Sequence, residues 1–181
     1  SLQQEPNGDL AFTFPVTTGY PSNTGTVNYL YMTRPPAVVS GSMAATFEIQ
    51  VTGAPVFHFS FLDGTSTPNC YPESACVPAT VRLFIWANRN DWGEFNRWWS
   101  NPASVVLRPG ASSITVAVDP ALWSSVYGKY GDYDAAARAS FHNAVSHVSS
   151  LGVTFGGGYF FGHGVNVEGG TARFILTRYE V

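Results

Sequence analysis

Lysine is almost missing from this chain. One lysine, Lys129, accompanies eight arginines, and twelve acidic residues bring the net charge to −3. There is no basic run, so the cationic footprint that phosphate backbones demand is lacking, and nucleic acid is excluded as a partner. Charged residues of both signs make up 12% of the chain, about half the ~25% of an ordinary soluble domain. Long apolar runs are missing too, and nothing approaches the roughly 18 residues of a membrane span, so no membrane insertion is expected. Disorder is excluded from the other side, because low hydrophobicity and high net charge are both absent. Proline stops at Pro120, whereas eight of the eighteen glycines fall between Gly152 and Gly170. Neither half could bury a core alone, so residues 1–181 read as a single domain.

Cysteine is limited to Cys70 and Cys76, in the run Cys70-Tyr-Pro-Glu-Ser-Ala-Cys76. A local disulfide closing this small loop is expected over free thiols, and would contribute roughly 2–3 kcal/mol through loop entropy. A half metal site is the other option, but no histidine or second cysteine pair stands nearby at zinc spacing. Scarce lysine, abundant Ser, Thr and Gly, and a lone disulfide together point to a secreted, extracellular protein. The chain begins Ser-Leu-Gln-Gln without a charged or apolar leader, so a signal peptide is expected to have been removed.

Aromatic residues are present in excess: five Trp, nine Tyr and thirteen Phe make 15% of the chain. Most of them follow period two. Val27–Thr33 alternates Tyr29 and Tyr31 against Leu30 and Met32. In Ala45–Thr52, Phe47, Ile49 and Val51 point one way while Glu48, Gln50 and Thr52 point the other, as in a strand with one buried face. Pro55–Leu62 sets Phe57, Phe59 and Phe61 against His58 and Ser60. Thr80–Trp86 is apolar on both faces, like a central strand. Ser104–Leu107 and Ile114–Val118, joined through Arg108-Pro109-Gly110, form a hairpin or a connection crossing between sheets. Val153–Phe155, Gly158–Val165 and Ala172–Val181 supply the last strands. One segment breaks the pattern: Ala137, Phe141, Ala144, Val145, Val148 and Leu151 keep helical spacing. A helix is therefore expected near residues 133–151, capped by Asp132 or Asp134 and closed by Gly152 at its C′ position.

Short strands separated by Gly, Pro and Asn turns predict an all-β fold, a two-sheet antiparallel β-sandwich of jelly-roll type. Four stretches carry a resemblance: Ser40-Gly41-Ser42 leading into Thr46-Phe47-Glu48-Ile49; Leu107-Arg-Pro-Gly110 with Ile114-Thr-Val116; Val118-Asp119-Pro120-Ala-Leu-Trp123; and Leu151-Gly152-Val-Thr-Phe155-Gly156-Gly157 followed by Ala172-Arg-Phe-Ile-Leu176. Together they span about two thirds of the chain, and their order resembles the galactose-binding-like jelly-roll modules, a superfamily rich in carbohydrate-binding modules. The resemblance implies a sandwich that binds sugars. It also leaves room for one structural calcium ion, although the scattered acids single out no ligands; no other cofactor is expected.

The tryptophans are not spread evenly. Four of five lie in Trp86-Ala-Asn88-Arg89-Asn90-Asp91-Trp92-Gly93-Glu94-Phe95-Asn96-Arg97-Trp98-Trp99. Sugars present apolar C–H faces ringed by hydroxyls, and flat aromatic surfaces edged by amides, carboxylates and guanidinium groups match both. Trp92, beside Asp91 and Gly93 in mid-loop, is the expected stacking platform, surrounded by Asn88, Asp91, Glu94 and Arg97. Trp86 also belongs to this candidate set, though it equally suits the buried end of a strand. One of Trp98 and Trp99 must face inward. A second candidate wall is Gly156-Gly-Gly-Tyr159-Phe-Phe-Gly162-His163-Gly164, offering Tyr159 and His163; alternatively its glycines form bulges and His163 fixes a turn. This run does not match Gly-x-Gly-x-x-Gly.

Enzyme signatures are missing as well. There is no Gly-x-Ser-x-Gly elbow and no His-Glu-x-x-His, and Lys129 lies in Gly-Lys-Tyr rather than in a phosphate loop. His142 and His147 sit about 140° apart around a helix and cannot chelate one ion from one face. His58 stands opposite its phenylalanines, on a concave face or satisfied between sheets. The expected function is a secreted, non-catalytic, lectin-like domain that binds a glycan. Two alternatives stand beside it. One is a small polysaccharide-active hydrolase or lyase, for which Asp91 and Glu94 would supply the carboxylates. The other is a structural or adhesive surface protein.

Overall fold

In a computed structural model that describes residues 2–16, 29–59, 78–157 and 164–181, period-two patterning becomes strand pairing. One antiparallel sheet has the order β1 (Leu2–Gln4), β2 (Leu10–Thr13), β11 (Val165–Glu180), β4 (Ser42–Phe59), β8 (Gly110–Ala117). The other runs β3 (Tyr29–Ala37), β10 (Val148–Gly157), β5 (Ala79–Trp86), β6 (Arg97–Ser100), β9 (Trp123–Ser125), with β7 (Val105–Val106) also pairing to β5. Two such sheets, with a single α-helix among the described residues, make the expected all-β sandwich.

The core lies between the sheets. From β4 it receives Met43, Ala45, Phe47 and Ile49, while Thr46, Gln50 and Thr52 stay exposed. From β5 it receives Val81, Leu83 and Ile85, and from β11 Ala172 and Phe174. Phe174 stacks on Phe47 at 4.8 Å and meets Phe155 edge-on at 4.9 Å, so the sheets are locked together by aromatic contacts. Two expected strands prove to be one. Gly53, with φ +80°, takes up a register shift against β11, and β4 runs unbroken from the Ala45 segment into Phe57. At Arg108-Pro109-Gly110 the chain crosses from β7 in one sheet to β8 in the other, so the connection is the crossing form and not a hairpin.

The helix is shorter than its spacing suggests. α1 (Ala135–Val145) starts where the Asp134 carboxylate accepts from Ala137 N at 2.6 Å and buries Ala137, Phe141, Ala144 and Val145. It ends six residues before Leu151, because Val148 and Leu151 belong to β10. A register shift between Val148 and Ser150 puts both on the inward side although they are three apart, which imitates helical spacing. Gly152 is accordingly not a helix-terminating glycine. It sits inside β10, where an added Cβ would overlap the Leu30 carbonyl of β3.

Candidate functional site

The site grows from β5, which is buried on both faces. Its odd residues enter the core, so Thr80, Arg82, Phe84 and Trp86 stand on the outer face of the second sheet. Strand register continues this face sideways as two rows, Tyr31–Gly152–Phe84–Trp99 and Thr33–Ser150–Trp86–Arg97. On β10 each row has a small residue, Gly152 or Ser150. Over them the rings of Tyr31 and Trp86 close to 6.5 Å, and Phe84 meets Trp86 at 6.3 Å and Trp99 at 5.1 Å. Phe84, Trp86 and Trp99 thus form a second apolar cluster, outside the sandwich, against which Val126 packs.

Deeper on this face, Arg82 is buried. Its Nε donates to Asn101 Oδ1 at 2.7 Å and its Nη1 to Thr80 Oγ1 at 2.8 Å, and Asn101 Nδ2 donates to Ser124 Oγ at 2.7 Å. Desolvation pulls the guanidinium pKa from its ordinary value down to about 10, opposed by Tyr130, so Arg82 keeps its charge at neutral pH.

The loop after β5 is tied down at nearly every residue. Ala87 N donates to Asn96 O at 2.8 Å and closes the loop's neck. Asn88 Oδ1 accepts from Asn90 N at 3.2 Å, an Asx turn. Asp91 accepts from Gly93 N at 2.8 Å with one oxygen and from Asn96 Nδ2 at 2.6 Å with the other. A Cβ at residue 93 would stand 3.0 Å from Asp91 Oδ1, so glycine there lets this carboxylate close in. Glu94 Oε1 accepts from Ser125 Oγ at 3.1 Å. Trp86 Nε1 donates to Asp91 O at 3.1 Å and pins the loop to the strand that launches it.

The result is one large side chain held in the open. Trp92 is 62% exposed, while Trp86 beneath it is 4% exposed and meets it at 4.7 Å, 62° between planes. Arg97 Nη2 donates to Trp92 O at 2.7 Å, and the guanidinium lies 4.9 Å from the Trp92 ring centre and 5.9 Å from that of Trp99. Such cation–π contacts contribute about 0.5–1 kcal/mol each at exposed sites. Tyr31, 44% exposed, extends the aromatic strip on the far side of Trp86.

The candidate residues of the loop therefore divide. Trp86 and Arg97 hold Trp92 directly, Asp91 shapes its loop and Glu94 ties that loop to Ser125, while Trp92 faces solvent with Asn88. Tyr159 and His163 lie outside the described residues, as do Cys70 and Cys76. His58 is buried on the outer face of the first sheet, across the sandwich from the loop, with Nε2 at 3.1 Å from Glu168 Oε2. Among the described residues no three His, Cys, Asp or Glu side chains gather as a metal site.

Beside the strip lies a cleft of about 610 Å³ that sequence reading missed. It is lined by Thr33–Pro36, Ala87–Asn90, His147 and Ser149. These three segments are far apart in sequence and meet because β10 pairs with both β3 and β5. Tyr31 was open to detection through its alternation with Leu30 and Met32; the cleft had no such signal.

Fold and site together define a β-sandwich bearing a clamped, outward-facing aromatic loop beside an open cleft. Comparison with models of known protein families, with curated proteins and with solved structures found no match.

Proposed function

We propose that this chain is a secreted, non-catalytic carbohydrate-binding domain in which Trp92 stacks on a sugar face. The reading rests on one observation: an indole 62% exposed is fixed from below by Trp86 and from the side by Arg97. Folding alone gains little from holding a large apolar ring in water, whereas a preorganised platform saves the ordering entropy that binding would otherwise cost. Tyr31 offers a second exposed ring along the same strip. Asn88 supplies an amide at its edge. Asp91 and Glu94 act as supports, since both carboxylates accept hydrogen bonds from the loop and its neighbour.

A glycan array followed by affinity electrophoresis tests this. The wild type is expected to retain at least one glycan class, and Trp92→Ala to weaken retention by about 1–2 kcal/mol, close to ten-fold. Its unfolding free energy should fall by no more than about 1 kcal/mol, the scale of an exposed cation–π contact. Retention of no glycan by the wild type overturns the reading, and concentration-dependent self-association without a glycan effect would favour the adhesive alternative.

A further inference from the structure

We infer that the cleft beside Trp86 binds the anionic group of an acidic glycan, the carboxylate of a uronic sugar or a sulfate ester. This rests on the carbohydrate reading and names the ligand class for the same site. Two cationic side chains, Arg34 and Arg89, line the cleft beside His147, and among the described residues no carboxylate does. The surroundings make this unusual, because acids outnumber Lys and Arg by twelve to nine in the whole chain. Neither Arg34 nor Arg89 takes part in an ion pair among the described residues, whereas Arg173 and Arg178 each hold a glutamate.

The remaining lining suits the same ligand. Asn88 and Asn90 bring amides, and Thr33 brings a hydroxyl. His147 Nδ1 donates to Asn143 O at 2.9 Å, which leaves Nε2 of the neutral ring as an acceptor for a sugar hydroxyl. Guanidinium groups present paired donors that match the oxygens of carboxylate and sulfate. A volume of about 610 Å³ is of the size that encloses a small ligand group.

The cleft and the aromatic strip are continuous. Ser149 Oγ of the lining donates to Trp86 O at 3.2 Å. Thr33, Ser150 and Trp86 stand in one row across three strands, which places Thr33 about 10 Å from Trp86. A sugar stacked on Trp92 or Tyr31 therefore leaves its neighbour in the same chain over the cleft. The aromatic strip takes the apolar face of the glycan, and the cleft selects for charge.

Matched oligosaccharides provide the test. Oligogalacturonate is paired with its methyl ester, and a sulfated galactan oligosaccharide with its desulfated form; titration calorimetry at low salt reads each affinity. At least one acidic member is expected to bind about ten-fold tighter than its neutral partner, as one or two charge-assisted contacts imply. Which pair shows the preference separates carboxylate from sulfate. Arg34→Gln with Arg89→Gln should erase the preference and leave the neutral partner's affinity as it was; the exposed Arg89→Gln alone should reduce it with no effect on folding. Trp92→Ala should instead weaken acidic and neutral members alike. Equal binding of acidic and neutral partners overturns the inference while leaving the carbohydrate reading in place. So does an acid preference that survives the double substitution. A chain that binds no glycan at all overturns both.

Discussion

The two sheets treat their outer faces in opposite ways. On the first sheet, Gln50 and Thr52 of β4 and Ser113 and Thr115 of β8 are exposed, and Arg178 pairs with Glu180 at the surface. This is the polar outer face that antiparallel sheets commonly present. On the second sheet the same alternation leads to Phe84, Trp86 and Trp99, all buried, beside Arg82, Ser150 and Thr154, also buried. A sandwich needs one core and this one has a second apolar layer on one side. The surplus aromatic content of the chain is placed there, and the exposed Trp92 is its outermost member.

The largest expected effect tests whether that layer is a true core. Phe84→Ala should cost about 3–5 kcal/mol in denaturant unfolding, as much as an interior phenylalanine. Gln50→Ala on the opposite face should stay within about 0.5 kcal/mol. A cost below about 1 kcal/mol for Phe84→Ala would erase the contrast. Next comes Gly152→Ala. Its Cβ would overlap the Leu30 carbonyl, so β3 must shift away from β10, with a loss of about 1–3 kcal/mol or more. Because Tyr31 rides on β3, glycan affinity should fall together with stability.

Asp91→Ala removes two hydrogen bonds that shape the loop and should cost about 1–2 kcal/mol of stability. Here affinity should fall further than stability, because Trp92 loses its fixed position; a calorimetric titration beside a melting curve reads both. The smallest effect concerns Tyr179 of β11, whose hydroxyl donates to Gly152 O of β10 in the other sheet at 3.0 Å. Burial raises its pKa above the usual 10. A raised folded pKa means that the stabilisation is complete below pH 10 and is lost as pH rises beyond it, by up to about 1.4 kcal/mol per pH unit. Tyr179→Phe should lose about 1 kcal/mol at neutral pH and show a flatter decline above pH 10.

Much of this organisation was legible in the residues. Thr80–Trp86 announced a strand apolar on both faces, and the Phe47, Ile49, Val51 alternation gave the inward side of β4. Trp92 stood out because its neighbours are polar and turn-forming. Other features were hidden for definite reasons. The shift between Val148 and Ser150 gave a strand the spacing of a helix, and Gly152 then looked like a terminator. Asp91 and Glu94 looked like ligand groups because composition does not reveal that Gly93, Asn96 and Ser125 already occupy their oxygens. The cleft joins residues 33–36, 87–90 and 147–149, and only pairing between distant strands brings those together.

Four of the five tryptophans are no more than 4% exposed, and Trp92 alone stands in water. The chain thereby carries its own optical reporter. Indole emission shifts to longer wavelength in water, so excitation at the red edge selects Trp92 out of the total signal. A soluble quencher such as iodide should extinguish that component and leave the blue-shifted remainder bright. Any ligand that covers the ring should shield it from the quencher, and the concentration at which shielding appears gives the dissociation constant without a label.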